Sequence, residues 1–313
     1  MDNNHAQNSS TEQDLVNRIA WEALAEQRRA RRWGIFFKIF FAVYLLFFLL
    51  LYAPVEWESS SMSGEKHTAM VEINGVIATD TEANADYVVS GLRKAFEDRN
   101  TAGIVLRINS PGGSPVQAGY IHDEIQRLRE LHPDIPLYAV IMDICASGGY
   151  YIAAAADKIF ADKASVVGSI GVIMAGFGFV DAIEKLGIER RLIHAGENKG
   201  FLDPFSPLKP DEVEHINTLL DQIYGQFKDV VKEGRGERLQ ENENIFSGLV
   251  WTGEQSVELG LVDALGNTSY VAREIIGAET IIDFTFRETY FDRFAKQIGN
   301  AMVKKLETGL ELR

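Results

Sequence analysis

The chain has 313 residues, 46% of them hydrophobic, enough for one large or two modest folded units. A net charge of −14 argues against broad nucleic-acid binding. The single cysteine, Cys145, excludes an internal disulfide framework and a thiolate metal cluster.

Residues 1–33 form a polar arm, with a weak helical pattern at Leu15, Ile19 and Leu24. Gly34 to Ala53 is almost wholly apolar, broken only by Lys38. At ~1.5 Å per residue this run can cross a ~30 Å hydrocarbon core. Arg28, Arg29, Arg31 and Arg32 precede it and Glu56 and Glu58 follow, so the positive-inside rule places the N-terminus in the cytoplasm. Trp33, Tyr52 and Trp57 suit the two interfaces, and Lys38 can snorkel to the cytoplasmic side. The long arm and the missing Ala-x-Ala site favour an uncleaved anchor over a signal peptide. The residues beyond 53 are then expected outside the cytoplasm. Residues 54–66, rich in serine and acid, read as a linker.

From Ala69 short apolar runs alternate with helical ones. Strands are expected over 70–77, 103–108, 137–144, 158–161, 166–171 and 189–194. Helices are expected over 87–100, 116–130, 149–156, 179–186, 210–233, 253–260 and 269–277. This alternation predicts an α/β domain with a largely parallel sheet, buried on both faces. The expected organisation is an arm at 1–33, a transmembrane helix at 34–53, a linker at 54–66, a catalytic domain at 67–280 and a C-terminal extension at 281–313. An amphipathic basic helix is expected at 293–305 within that extension.

Two loops carry the chemistry. Ala146-Ser147-Gly148-Gly149-Tyr150-Tyr151 puts a hydroxyl where an apolar strand turns into an alanine-rich helix. Backbone N–H groups are unpaired at such a corner, and a developing oxyanion is stabilised there. Taken alone, Ser147 reads more readily as an N-cap than as a nucleophile. Asn109-Ser110-Pro111-Gly112-Gly113-Ser114 follows another strand, and its glycines present a concave set of N–H donors or form an ordinary turn. Ser110 and Ser114 are alternative nucleophiles. Cys145 ends an apolar run and reads as a small buried residue.

Asn-Ser-Pro-Gly-Gly-Ser at 109–114 with Ala-Ser-Gly-Gly-Tyr-Tyr at 146–151 resembles the signal peptide peptidase A (SppA) family of membrane-anchored serine proteases. Val167-Gly168-Ser169-Ile170-Gly171-Val172, Gly196-Glu197-Asn198-Lys199 with Pro204-Phe205, and Phe246-Ser247-Gly248-Leu249-Val250-Trp251-Thr252-Gly253 extend the resemblance, as does Glu258-Leu259-Gly260-Leu261-Val262-Asp263. It covers approximately residues 68–275 and matches the short, single-domain form.

The resemblance implies a ClpP/crotonase-like fold with repeated ββα units and a Ser–Lys dyad. Ser147 matches the nucleophile, Lys199 the general base and Ser169 the serine that orients the lysine. The amides of Gly113, or its neighbour Gly112, and Gly148 match the oxyanion hole. Without the resemblance Lys199 would read as a solvated loop lysine. A lysine acts as a base only when neutral, and loss of solvent is the usual device. No cofactor or metal is implied.

The resemblance also implies apolar peptide substrates such as signal-peptide remnants, and a ring-like homo-oligomer, an octamer for a single-domain chain, with serine and lysine from adjacent subunits. The implied location is the bacterial inner membrane, crossed once, with lipid around 34–53 and the catalytic domain in the periplasm or otherwise extracytoplasmic. Ile170, Val172, Met174, Phe177 and Phe179 line an apolar groove or are buried strand residues. His194 is the alternative base; His122 and His215 read as partly exposed helix residues. A crotonase-like acyl-CoA enzyme and an inactive membrane-bound scaffold are the competing functions.

Overall fold

The computed structural model describes residues 3–52, 64–240 and 242–287. The chain divides into two units, Met1–Ser60 with Glu288–Arg313, and Ser61–Arg287. In the first, α1 (Asn3–Tyr52) is one continuous helix. Its aromatic side chains form a ladder, with Phe36 stacked on Phe40 and Phe40 on Tyr44. Among the described residues no helix is long and apolar enough to cross a membrane. The side chains described in α1 end at Phe48, so the expected anchor at 34–53 runs past them. The apolar stretch before Phe48 carries Lys38 and follows Arg31 and Arg32. The basic helix expected at 293–305 and most of the linker lie outside the described residues.

The second unit is an eight-stranded α/β sheet. In chain order it contains β1 (His67–Asn74), α2 (Ala85–Glu97), β2 (Thr101–Ser110), α3 (Pro115–Leu131), β3 (Leu137–Ala146) and α4 (Gly148–Ala153). Then come β4 (Lys158–Ala161), β5 (Val166–Gly168), α5 (Val180–Lys185), α6 (Pro210–Arg235), β6 (Val250–Thr252) and α7 (Gly253–Glu258). The last are β7 (Ala264–Leu265), α8 (Thr268–Tyr270, continued as a π turn, Val271–Ile276) and β8 (Ile281–Asp283). The main path runs β6-β5-β3-β2-β1-β8, and every pairing is parallel except β5 with β6. The expected parallel sheet is therefore present, and β8 carries it past residue 280.

The helix starts follow local chemistry. Asn84 caps α2 by accepting from the Tyr87 amide. Ser114 caps α3, with Pro115 at the first helical position, where its missing N–H costs nothing. The core takes Val71, Ile73, Ile104, Leu106, Ile108, Ile121, Ile125 and Ile141, all nearly or fully buried. The strand residues among these share one face of the sheet, and Val105, Val140 and Phe160 bury the opposite face against Val271, which is why β2 and β3 read as apolar runs without strict alternation.

The strand expected at 189–194 does not form. That stretch is exposed, and no ladder partner lies beside it among the described residues. His122 is buried rather than partly exposed, edge-on to Tyr151.

β3 is forked. Its first half, Tyr138 to Ile141, pairs with β4, and its last residues, Ile144 to Ala146, pair with β5. Between them the register against β2 jumps, from Ile108 opposite Ile141 to Ser110 opposite Cys145. The Asn109 side chain accepts from the displaced Ile144 amide at 3.3 Å, so the bulge leaves that N–H satisfied. The bulge sets the height at which β3 ends beside β2, and so places the corner that follows.

Candidate active site

The corner is Ser147. Its backbone lies at φ 52° and ψ −123°, a region that L-residues rarely occupy. Two backbone bonds hold it there: the Ser147 N–H donates to the Gly168 carbonyl at 2.8 Å, and the Tyr151 N–H donates to the Ser147 carbonyl at 3.0 Å. The Ser147 side chain caps nothing, which removes the N-cap reading. The hydroxyl is half-buried at the carboxyl end of β3, free for other use.

The other candidate nucleophiles are occupied. Ser110 is fully buried and its hydroxyl accepts from the Gly112 amide at 3.1 Å. Ser114 caps α3. Cys145 is fully buried, and desolvation pushes its thiol up, away from the thiolate.

The glycine strap after β2 lies directly against the corner. A Cβ on Gly112 would sit 2.7 Å from the Gly148 nitrogen, 2.7 Å from Ser147 Cβ and 2.8 Å from the Ala146 carbonyl. A Cβ on Gly148 would sit 3.3 Å from the Gly113 nitrogen. The amides of Gly113 and Gly148 are thus neighbours, and among the described residues neither donates to a backbone acceptor. The Gly112 amide is already engaged by Ser110, so of the two strap candidates Gly113 is the free one.

Ser169 is the register neighbour of Ser147. Ala146 pairs with Gly168, and the residue after each is a serine in left-handed backbone, φ 52° and 53°. The Ser169 N–H donates to Leu249 at 2.7 Å, which fixes the second serine as the first is fixed.

Lys199 lies on the long excursion between β5 and α6. Its side chain is exposed and, among the described residues, makes no hydrogen bond or ion pair; it is not bonded to Ser147 within one chain. Its backbone N–H donates to Gly196 at 3.1 Å. His194 Nδ1 lies 2.9 Å from the same carbonyl, and its ring edge faces Gly200. Of the groove candidates, Ile170 is core, Val172 is half-buried, and Met174, Phe177 and Phe179 are exposed on the excursion.

Sequence reasoning missed two contributors. Asn109 shapes the bulge beneath the corner, and Ser110 engages the strap. Both stood in the Asn-Ser-Pro-Gly-Gly motif, but nothing in spacing distinguishes a hydroxyl that attacks from one that accepts a backbone proton.

A strained corner hydroxyl beside two unspent amides, at the carboxyl ends of parallel strands, defines an α/β protein equipped for acyl transfer. Residues 129–279 match the sequence profile of peptidase family S49. A Synechocystis sp. protein bearing a protease name is 35% identical over 204 residues, 65% of this chain and 71% of that protein. The chain belongs to peptidase family S49, and the SppA resemblance of its motifs stands. An Enterococcus faecium protein named for signal peptide peptidase SppA is 34% identical over 212 residues, 65% of this chain and 61% of that protein. The Na(+)/H(+) antiporter NhaA of Brucella abortus is 45% identical over 186 residues, 59% of this chain but 25% of that protein. The chain thus spans less than two thirds of the length of these last two relatives.

Proposed function

We propose that this chain is a membrane-anchored serine endopeptidase with a ClpP/crotonase-like fold that cleaves apolar peptides, such as signal-peptide remnants, by a Ser–Lys dyad. The observation that carries the reading is the Ser147 corner, whose uncapped hydroxyl stands beside the free amides of Gly113 and Gly148.

Ser147 Oγ attacks the scissile carbonyl as Lys199 Nζ takes its proton. The carbonyl oxygen becomes an oxyanion that accepts from the Gly113 and Gly148 N–H groups. Lys199 returns the proton to the leaving amine. Water, activated by the same amine, then hydrolyses the acyl-enzyme and restores Ser147. Ser169, one strand away, orients the amine.

Lys199 lies on an exposed loop, and a working base needs cover from water. A homo-oligomer, an octamer in this reading, supplies it. In support, the excursion that carries Lys199 exposes Ile173 at 86%, Phe177 at 82% and Ile193 at 96%, apolar side chains that a neighbouring subunit would cover. Lys199 of one subunit then serves Ser147 of a neighbour. The anchor is residues 34–53 in a bacterial inner membrane, with the N-terminus cytoplasmic and the catalytic domain periplasmic or extracytoplasmic. The four preceding arginines and the apolar run after Gly34 support this placement.

The test is labelling of the full-length protein in detergent with a fluorophosphonate, followed by mapping of the modified residue and assay of peptide cleavage. Label on Ser147, and cleavage abolished in both Ser147→Ala and Lys199→Ala, is the expected result. Cleavage that survives Lys199→Ala but fails in His194→Ala transfers the base role to the histidine. Turnover of acyl-CoA without peptide cleavage overturns the peptidase reading.

A further inference from the structure

Resting on the peptidase reading above, we infer that Ser110 is a positioning residue that selects the strap's oxyanion donor, by engaging the amide of Gly112 so that, of the strap's amides, only that of Gly113 joins Gly148 in facing the substrate. Each N–H of the strap can be accounted for. Pro111 has none. The Gly112 N–H donates to Ser110 Oγ at 3.1 Å. The Ser114 N–H donates to the Ile77 carbonyl at 2.8 Å, while the Ile77 N–H donates to the Gly112 carbonyl at 2.9 Å. Only the Gly113 N–H is left without a partner among the described residues.

Two successive amides at positive φ, 98° and 152°, give the strap a choice of donor. If Gly112 were also free, a small rotation of the strap would offer its N–H instead, from a different position. Ser110 removes that choice. It can do so because it stands opposite Cys145 in the sheet register, two residues before the nucleophile. It also lies beneath the start of α4: a Cβ on Gly149 would sit 3.1 Å from the Ser110 carbonyl and 3.4 Å from its Cβ. One fully buried side chain therefore references the strap to the corner. A hydrogen bond from an N–H to a buried hydroxyl is lost outright on truncation, since no water can replace the acceptor there.

The test uses the full-length protein and compares kcat and KM for a peptide substrate with inhibition by a peptide aldehyde, whose serine adduct places an oxygen in the oxyanion hole. Ser110→Ala is expected to lower kcat and weaken aldehyde binding by about tenfold each, with KM unchanged, a fraction of the loss on removing an oxyanion donor itself. Ser110→Thr, which keeps the acceptor, is expected to retain kcat within about threefold. A purely structural role would instead lower the melting temperature and leave kcat per titratable Ser147 intact, and that result overturns the inference. Should Ser110→Ala fail to accumulate, Ser110→Thr is compared with Ser110→Cys, whose sulfur fills the site but accepts poorly; equal kcat in the two overturns it as well. Wild-type protein that neither cleaves peptide nor takes up fluorophosphonate refutes the peptidase reading. An active wild type with an indifferent Ser110→Ala refutes only the role of Ser110.

Discussion

Gly112→Ala tests the strap most directly. The new methyl group would meet the Gly148 nitrogen and Ser147 Cβ at 2.7 Å and the Ala146 carbonyl at 2.8 Å. None of the three is the end of a flexible side chain, so the strap must move away from the corner. A φ of 98° adds backbone strain of about 1–3 kcal/mol for a residue with a side chain. Displacing the strap withdraws the Gly113 amide, and loss of one oxyanion donor costs about 100- to 1000-fold in kcat, or roughly 2.7–4 kcal/mol of transition-state stabilisation. The expected result is a lower urea midpoint and a kcat down by at least about 100-fold, normalised to Ser147 that still takes up fluorophosphonate. Normalisation separates the two effects, because unfolded protein takes up no label. A variant that is less stable yet turns over within about threefold of wild type per labelled site would show that this strap does not hold the oxyanion.

Arg235 is buried, its side chain 1% exposed, and its guanidinium pairs with Asp263 at 2.9 Å. Asp263→Asn is therefore expected to cost about 3–5 kcal/mol by urea denaturation, since it strands a buried charge; a loss below about 1 kcal/mol would refute this. Burial pushes the Asp263 carboxyl up, but the hydrogen bond and charge of Arg235, with help from the Ile159 amide and Arg238, outweigh it and hold the carboxyl below its ordinary value. A lowered carboxyl contributes stability above the unfolded-chain pKa and loses it as pH falls through the folded value, so the gap between wild type and variant should narrow below about pH 4. A gap of constant size from pH 7 to pH 3 would contradict that linkage. Cys145 should resist thiol reagents at pH 8 in the folded protein and react only on unfolding, because burial pushes its thiol up; fast labelling of folded protein would count against the packing around it. If the proposed oligomer forms through this excursion, Ile193→Asp, at a side chain 96% exposed, should leave the lone subunit's melting temperature nearly unchanged yet lower the mass in sedimentation and the kcat. An intact, fully active oligomer would place the interface elsewhere.

The sheet was legible because its strands are apolar on both faces and its helices start with capping residues such as Asn84 and Ser114. The corner was legible because small residues flank Ser147. The expected strand at 189–194 failed because its two apolar residues, Leu192 and Ile193, are adjacent and exposed, so they present no alternating face for a sheet to bury. The strands β6, β7 and β8 were missed because two or three residues are too few to show a period. The bulge at Asn109 was invisible for a related reason: a jump in register is a relation between two strands, and neither strand announces it alone.

The excursion that bears Lys199 leaves most of its side chains in water, whereas Ser147 is flanked by buried residues on both sides. On the proposed reading of a membrane-bound oligomer whose serine and lysine come from adjacent subunits, a newly made subunit carries a finished blade and an idle handle. Cutting power would then rise steeply with local crowding in the bilayer, and a stray copy would be harmless to its surroundings.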